Sequence, residues 1–168
     1  MSKNSSVPYW QNVLHKVISF PLRSRVAART FHHLDRYIYR LSGNRFTAVS
    51  LLGGVPMITL TTIGAKSGRP RSVPLIGIPD GDELILVASN WGQERHPGWY
   101  YNLRANPRVI ASMNGSKQAY MAREAAGEER ARYWQKAAGV YGGYEAYKSR
   151  VGEREIPVVI LSPLNQSS

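Results

Sequence analysis

Four groups of residues have types and spacings suited to chemistry. The first is the run Gly64-Ala65-Lys66-Ser67-Gly68-Arg69-Pro70-Arg71, which carries three cations, two glycines and no acid between two apolar stretches. Such a turn can offer backbone N–H groups and positive charge to phosphate oxygens. It would serve equally as a solvated hairpin tip, where Lys, Arg and Gly are common. The second is Ala88-Ser89-Asn90-Trp91-Gly92, directly after an apolar run. A hydroxyl and free amides at a strand's end can face a ligand, and the same sequence also suits an ordinary loop.

The third group lies in Pro97-Gly98-Trp99-Tyr100-Tyr101-Asn102-Leu103. Three successive aromatics cannot all face one core, so at least one turns to solvent, a pocket or another chain. The fourth is Tyr141, Tyr144 and Tyr147. Their spacing sets the rings along one side of a helical piece, as a packed stripe or as a lid whose phenols line a pocket. Gly142-Gly143 argues against a continuous helix there.

Much reactive equipment is missing. There is no cysteine, which excludes thiolate catalysis and cysteine-ligated metal and fits, weakly, a reducing compartment. Histidines at 15, 32, 33 and 96 form no ligand pattern, so no metal is expected. No P-loop, G-x-G-x-x-G, G-x-S-x-G or carboxylate pair is present. An enzyme so equipped leaves the hard chemistry to a bound cofactor.

The elements that must position these groups follow from periodicity. Two amphipathic helical stretches occupy the first 45 residues, one over 8–20 and one presenting Phe31, Leu34, Tyr37, Ile38 and Leu41. Strands are expected at 57–63, 72–78 and 83–89, the last two joined by the turn Pro79-Asp80-Gly81-Asp82. Pro74 marks the second strand as an edge or a bulge. A short helix over 98–105 ends at Asn106-Pro107. Strands 109–113 and 117–123 join across Asn114-Gly115. Helices over 127–138 and 144–150 precede a closing strand at 156–161. About six mostly antiparallel strands with surrounding helices make an α+β protein built on a small barrel. The division is residues 1–45 as a basic helical segment and 46–168 as the barrel domain.

Charge sharpens the search for a partner. In the 168-residue chain, residues 1–79 hold eleven bases against Asp35 alone, whereas residues 80–168 are nearly balanced. A cationic first half implies an anionic partner. No standard nucleic-acid recognition signature is present, which ranks nucleic acid last. No secretory signal is visible and the uncharged stretch 46–65 is too polar for a membrane span. A cytoplasmic protein is expected, with residues 1–45 either covering the barrel or resting on an anionic membrane face.

The ordered motifs resemble one family. Leu60-Thr61-Thr62-Ile63-Gly64-Ala65-Lys66-Ser67-Gly68-Arg69-Pro70-Arg71, then Pro74-Leu75, is similar to the L-T-T-x-G-x-K-[ST]-G-x-P-R-x-x-P-L signature of deazaflavin-dependent nitroreductases. Val87-Ala88-Ser89, Pro97-x-Trp99-Tyr100-x-Asn102, Glu128-Glu129-Arg130, the three tyrosines and Ile156-Pro157-Val158-Val159 continue it in order over roughly 55–163.

The resemblance implies a split β-barrel that binds coenzyme F420 and passes a hydride from the reduced deazaflavin to a quinone or nitroaromatic acceptor. It implies that Lys66 and Arg71, with Arg69 and Pro74 beside them, hold the phosphate and acidic tail. Ala88, Ser89, Asn90, Trp91 and Gly92 would flank the deazaflavin ring. Trp99, Tyr100 and Asn102 would line the cavity. Tyr141, Tyr144 and Tyr147, with Ser89, would act on the substrate side. The family often has Lys-Gly-Gly where this chain has Asn90-Trp91-Gly92, so a cation is lost and an indole gained. Alternatives are an FMN-binding split barrel or a non-catalytic deazaflavin or lipid carrier, as monomer or homodimer.

Overall fold

The computed structural model describes residues 55–113 and 115–164. The expected helices of residues 1–45, the boundary at 45/46 and any membrane contact of that segment lie outside the described residues. Seven strands follow in chain order: β1 (Met57–Ile63), β2 (Pro70–Ile76), β3 (Ile78–Asp80), β4 (Glu83–Val87), β5 (Arg108–Met113), β6 (Ser116–Glu124) and β7 (Val158–Pro163). Three helices accompany them: α1 (Gly98–Ala105), α2 (Gly127–Val140) and α3 (Gly143–Lys148). All pairings are antiparallel, in the order β2-β1-β5-β6-β7-β4-β3. This is the expected α+β barrel, with a seventh strand.

The extra strand comes from one corner. The apolar run at 72–78 reads as a single strand, yet the chain divides it at Gly77. β2 pairs with β1 at one edge of the sheet and β3 pairs with β4 at the other. One residue therefore joins the two edges, and the sheet must curl until they meet. Gly77 donates its N–H to the Pro56 carbonyl at 3.0 Å. A Cβ built there would sit 2.7 Å, 2.9 Å and 3.0 Å from three side-chain carbons of Ile58, which is itself 2% exposed and fixed in the core. Gly77→Ala is expected to destabilise the barrel by about 1–3 kcal/mol through overpacking, read as a lowered midpoint in thermal unfolding. An unchanged midpoint would show that Ile58 yields freely.

Two of the strand prolines sit in edge strands, where a ladder donor can be spared. Pro74 lies in edge strand β2 and Pro79 in edge strand β3. Strand β7 is the opposite case, with Val158, Val159, Ile160 and Leu161 all fully buried. Alternation explains this. Val159 and Leu161 join Ile58, Leu60, Leu84, Leu86, Val109 and Ala111 in the barrel core, while Val158 and Ile160 point to the other face, where α2 packs. α2 brings Tyr133, Trp134 and Ala137 to that face.

Helix α1 plugs the barrel. Its side chains Trp99, Tyr100 and Leu103 enter the core, each burial contributing about 1.5–3 kcal/mol. Tyr101, between them and Asn102, is 47% exposed, which resolves the aromatic triplet as two inward rings and one outward. The Tyr100 hydroxyl donates to Glu124 Oε2 at 2.7 Å and ties the plug to β6. No helix among the described residues is long and apolar enough to cross a membrane.

Candidate cofactor and acceptor site

The basic turn between β1 and β2 is a closed, braced structure. Gly64 N–H donates to the Arg69 carbonyl at 2.9 Å, and Gly68 N–H donates to the Gly64 carbonyl at 2.8 Å. Gly68 takes φ +63°, a conformation open to glycine without strain. Gly64 forms the floor: a Cβ there would lie 2.5 Å from Ser67 Oγ, 3.3 Å from the Arg69 carbonyl and 3.7 Å from Arg71 Cγ. Lys66, Arg69 and Arg71 are exposed above this floor. Arg71 stands opposite the buried Thr62 in register, so the two side chains share a face.

Asn102 holds the turn from behind. Its Nδ2 donates to Thr62 Oγ1 at 3.0 Å, and its Oδ1 accepts the Ala65 N–H at 3.0 Å. Both ends of the amide are thus committed to the basic turn. Trp99 and Tyr100 are buried in the core at 8% and 4% exposure. The structure places Trp99 and Tyr100 in the plug and Asn102 in the brace of the basic turn.

The second cluster forms where β4 ends. Ala88 is fully buried and its N–H donates to the Pro157 carbonyl at 2.9 Å. Ser89 follows at 8% exposure. Then the chain turns left-handed for three residues: Asn90 at φ 49°, Trp91 at φ 58° and Gly92 at φ 72°. Asn and Gly tolerate this, but a tryptophan there stores about 1–2 kcal/mol of backbone strain. Gly92 N–H and Gln93 N–H donate to the carbonyls of Ser89 and Asn90, both at 3.0 Å.

This turn sits directly on the tyrosines. A Cβ at Gly92 would meet Tyr147 Cα and Cδ1 at 3.3 Å and Arg150 Cβ at 3.4 Å. The Trp91 and Tyr147 rings meet edge-on, with centroids 6.3 Å apart. The three tyrosines pack on one another at centroid separations of 5.2 Å, 6.1 Å and 6.4 Å. The helix does break between them, since α2 ends at Val140 and α3 starts at Gly143. Gly143 is required, because any Cβ there would overlap the Tyr141 ring and hydroxyl.

The Tyr141 and Tyr147 hydroxyls share a hydrogen bond of 3.0 Å. Burial pushes all three phenols above their ordinary range. For Tyr141 the bond from Tyr147 and the nearby Arg150 oppose the shift. The Arg150 guanidinium lies 5.8 Å from the Tyr147 ring centroid. These phenols stay protonated and can only act as neutral hydrogen-bond donors or acceptors.

Helix α1 connects the two clusters, its first residue following the Ser89 loop and its Asn102 reaching the basic turn. At 1.5 Å rise per residue the two points are about 6 Å apart along the axis. Pro74 lies half-buried in β2, opposite Thr59 and away from the turn. Among the described residues, no group of three or more His, Asp or Glu side chains could hold a metal ion.

The model of one protein family, F420H(2)-dependent quinone reductase, matches residues 32–163. The chain belongs to this family. The match reaches upstream of the motifs, which begin near residue 55. An F420H(2)-dependent quinone reductase of Mycobacterium tuberculosis strain H37Rv is 37% identical over 128 residues, covering 74% of this chain and 85% of the relative. A solved F420-H2-dependent reductase (FDR-A) is 39% identical with a TM-score of 0.60, covering 64% of this chain and 94% of that one. A second solved chain, a domain-swapped dimer, is 34% identical at TM-score 0.60, covering 76% and 96%. The deazaflavin coenzyme expected from the motifs is the family's cofactor, and the FMN alternative finds no support in these relatives.

Sequence reasoning missed one residue of the loop and the residue that grips it. Arg154 and His96 bond to one another across the Ser89 turn. They are 58 positions apart, and neither belongs to a motif that would pair them.

Proposed function

We propose that this F420H(2)-dependent quinone reductase family member transfers a hydride equivalent from reduced coenzyme F420 to a quinone, with nitroaromatics as further acceptors. The observation that carries the reading is the acid-free basic turn, floored by Gly64 and braced by Asn102. Its donor set suits the coenzyme: a phosphodiester and a glutamate tail need several cations and backbone amides at one rim. When bound, the reduced deazaflavin supplies the hydrogen and two electrons.

The chain's own residues do the rest. Lys66, Arg69 and Arg71 bind the anionic tail. Asn102 and Thr62 keep that turn in place. Ser89 and the Asn90–Gly92 turn would hold the deazaflavin ring, and the Trp91 indole beside them would favour flat acceptors. Of the paired Tyr141 and Tyr147 phenols, one donates to the other and the second donates its free proton to the acceptor oxygen on which negative charge develops. Solvent supplies the proton that completes the hydroquinone.

The test is direct. Purified protein is mixed with reduced F420 and menadione, and reoxidation is followed by absorbance. Protein-dependent turnover is expected, with none when reduced FMN replaces the deazaflavin. Binding of the coenzyme without turnover on any quinone or nitroaromatic would favour a carrier and overturn the enzymatic reading.

A further inference from the structure

The Ser89–His96 loop is strained; inside it Asn90 Nδ2 donates to the Arg95 carbonyl at 2.8 Å, and from outside Arg154 ties its two ends together. Arg154 lies in the stretch between α3 and β7, which is itself anchored. The Arg130 guanidinium donates from α2 to the Ile156 carbonyl at 2.9 Å, and Pro157 accepts from Ala88 at 2.9 Å. From that base Arg154 Nη2 donates to the Ser89 carbonyl at 3.0 Å and to the Gln93 carbonyl at 2.9 Å. Its Nη1 donates to His96 Nδ1 at 2.8 Å. These three acceptors bracket the left-handed residues 90–92. Consecutive positive φ angles that include a tryptophan persist only where surrounding contacts over-determine them. The planar guanidinium fork supplies such contacts, and a lysine, with one compact ammonium, cannot span all three.

We propose that Arg154 is a positioning residue: by holding Ser89, Gln93 and His96 together it fixes the Asn90–Gly92 turn that flanks the deazaflavin ring. The role rests on the cofactor reading given above. It explains how this chain accommodates an indole where a glycine would be unstrained.

The clamp has a pH dependence through its third contact. His96 can accept from Arg154 only through an unprotonated Nδ1. Burial first, and the Arg154 charge second, hold its pKa below the ordinary 6.5. Arg104 on α1 acts in the same direction and Glu124 on β6 opposes it. The rings of Tyr100 and Tyr101 pack against the imidazole at 4.8 Å and 5.9 Å. A depressed histidine pKa means that the proton prefers the open loop. The clamp is intact above the ordinary value of 6.5 and loosens as pH falls below it.

Two measurements on wild type, Arg154→Met and Arg154→Lys test this. The first is amide hydrogen exchange of the ligand-free protein. In Arg154→Met the amides of Gly92 and Gln93 are expected to exchange about tenfold faster or more, with the β1–β2 turn unchanged. Arg154→Lys should fall between. The second is F420 affinity by fluorescence: about tenfold weaker for Arg154→Met, partly restored in Arg154→Lys. In wild type both protection and affinity should decline as pH drops from about 7.5 to about 5.5, and Arg154→Met should lose that dependence.

Unchanged exchange in a folded variant overturns the clamp. Faster exchange with unaltered affinity overturns the positioning role. Should Arg154→Met fail to fold, wild-type behaviour in Arg154→Lys overturns it equally. A wild-type protein that binds no F420 overturns the cofactor reading, which the exchange data then separate from the clamp itself.

Discussion

Replacing Lys66 and Arg71 together by alanine is expected to weaken F420 binding about a hundredfold, the loss typical of two charge-assisted contacts to an anion. The turn itself should survive. Its internal bonds run through the backbone of Gly64, Gly68 and Arg69, and its brace is Asn102. None of these depends on the Lys66 ammonium or the Arg71 guanidinium. The thermal midpoint should therefore move little, which separates a binding loss from a folding loss. Salt provides a second reading. Affinity of the wild-type protein should fall as ionic strength rises, and that slope should flatten in the double variant, because the screened charges are gone. Fluorescence titration at two salt concentrations checks both. Unchanged affinity at low salt would remove the basic turn from the site and with it the main support for an anionic coenzyme here.

The parts legible in the sequence were those governed by local rules. The strand at 57–63 alternates, and its three buried positions, Ile58, Leu60 and Thr62, follow that alternation. The basic turn announces itself by glycines and cations between two apolar runs. Pro74 reads as an edge, and the strand that contains it is one. What stayed hidden depends on distant partners. Nothing in 72–78 marks Gly77 as a corner, because the cause is Ile58, packed against it from another strand. Asn102 looks like a cavity residue beside Trp99 and Tyr100. Its bonds to Thr62 and Ala65, 40 and 37 positions away, could not be read there. Arg154 resembles any surface arginine before a strand until the loop at 89–96 folds around it. Each is a contact between residues distant in sequence, and such contacts leave no periodicity to read.

The tyrosine cluster invites the second large effect. The Tyr141→Phe/Tyr147→Phe double variant is expected to lower kcat for quinone reduction about a hundredfold while F420 affinity stays within about twofold. Removing one hydroxyl alone would leave its buried partner unpaired, at a cost of about 1–3 kcal/mol. Removing both keeps the rings and their packing and deletes only the donors. Since Tyr141 and Tyr147 bond to each other at 3.0 Å, one of the two protons is engaged within the pair. The other remains free to meet the acceptor oxygen. Burial raises both phenols above the ordinary value of 10.0, so neither loses its proton in the working range. The wild-type rate should therefore show no phenol-dependent decline between about pH 6 and about pH 9. A decline below the ordinary histidine value belongs instead to His96 and its arginine. Stopped-flow turnover of menadione with both proteins across that range separates the two. An unaltered kcat in the double variant would make the tyrosines packing alone, and the developing charge would then need Ser89 or Arg150 as its donor. A tenfold rise in the apparent Kd for F420 would instead place the phenols against the coenzyme rather than the acceptor.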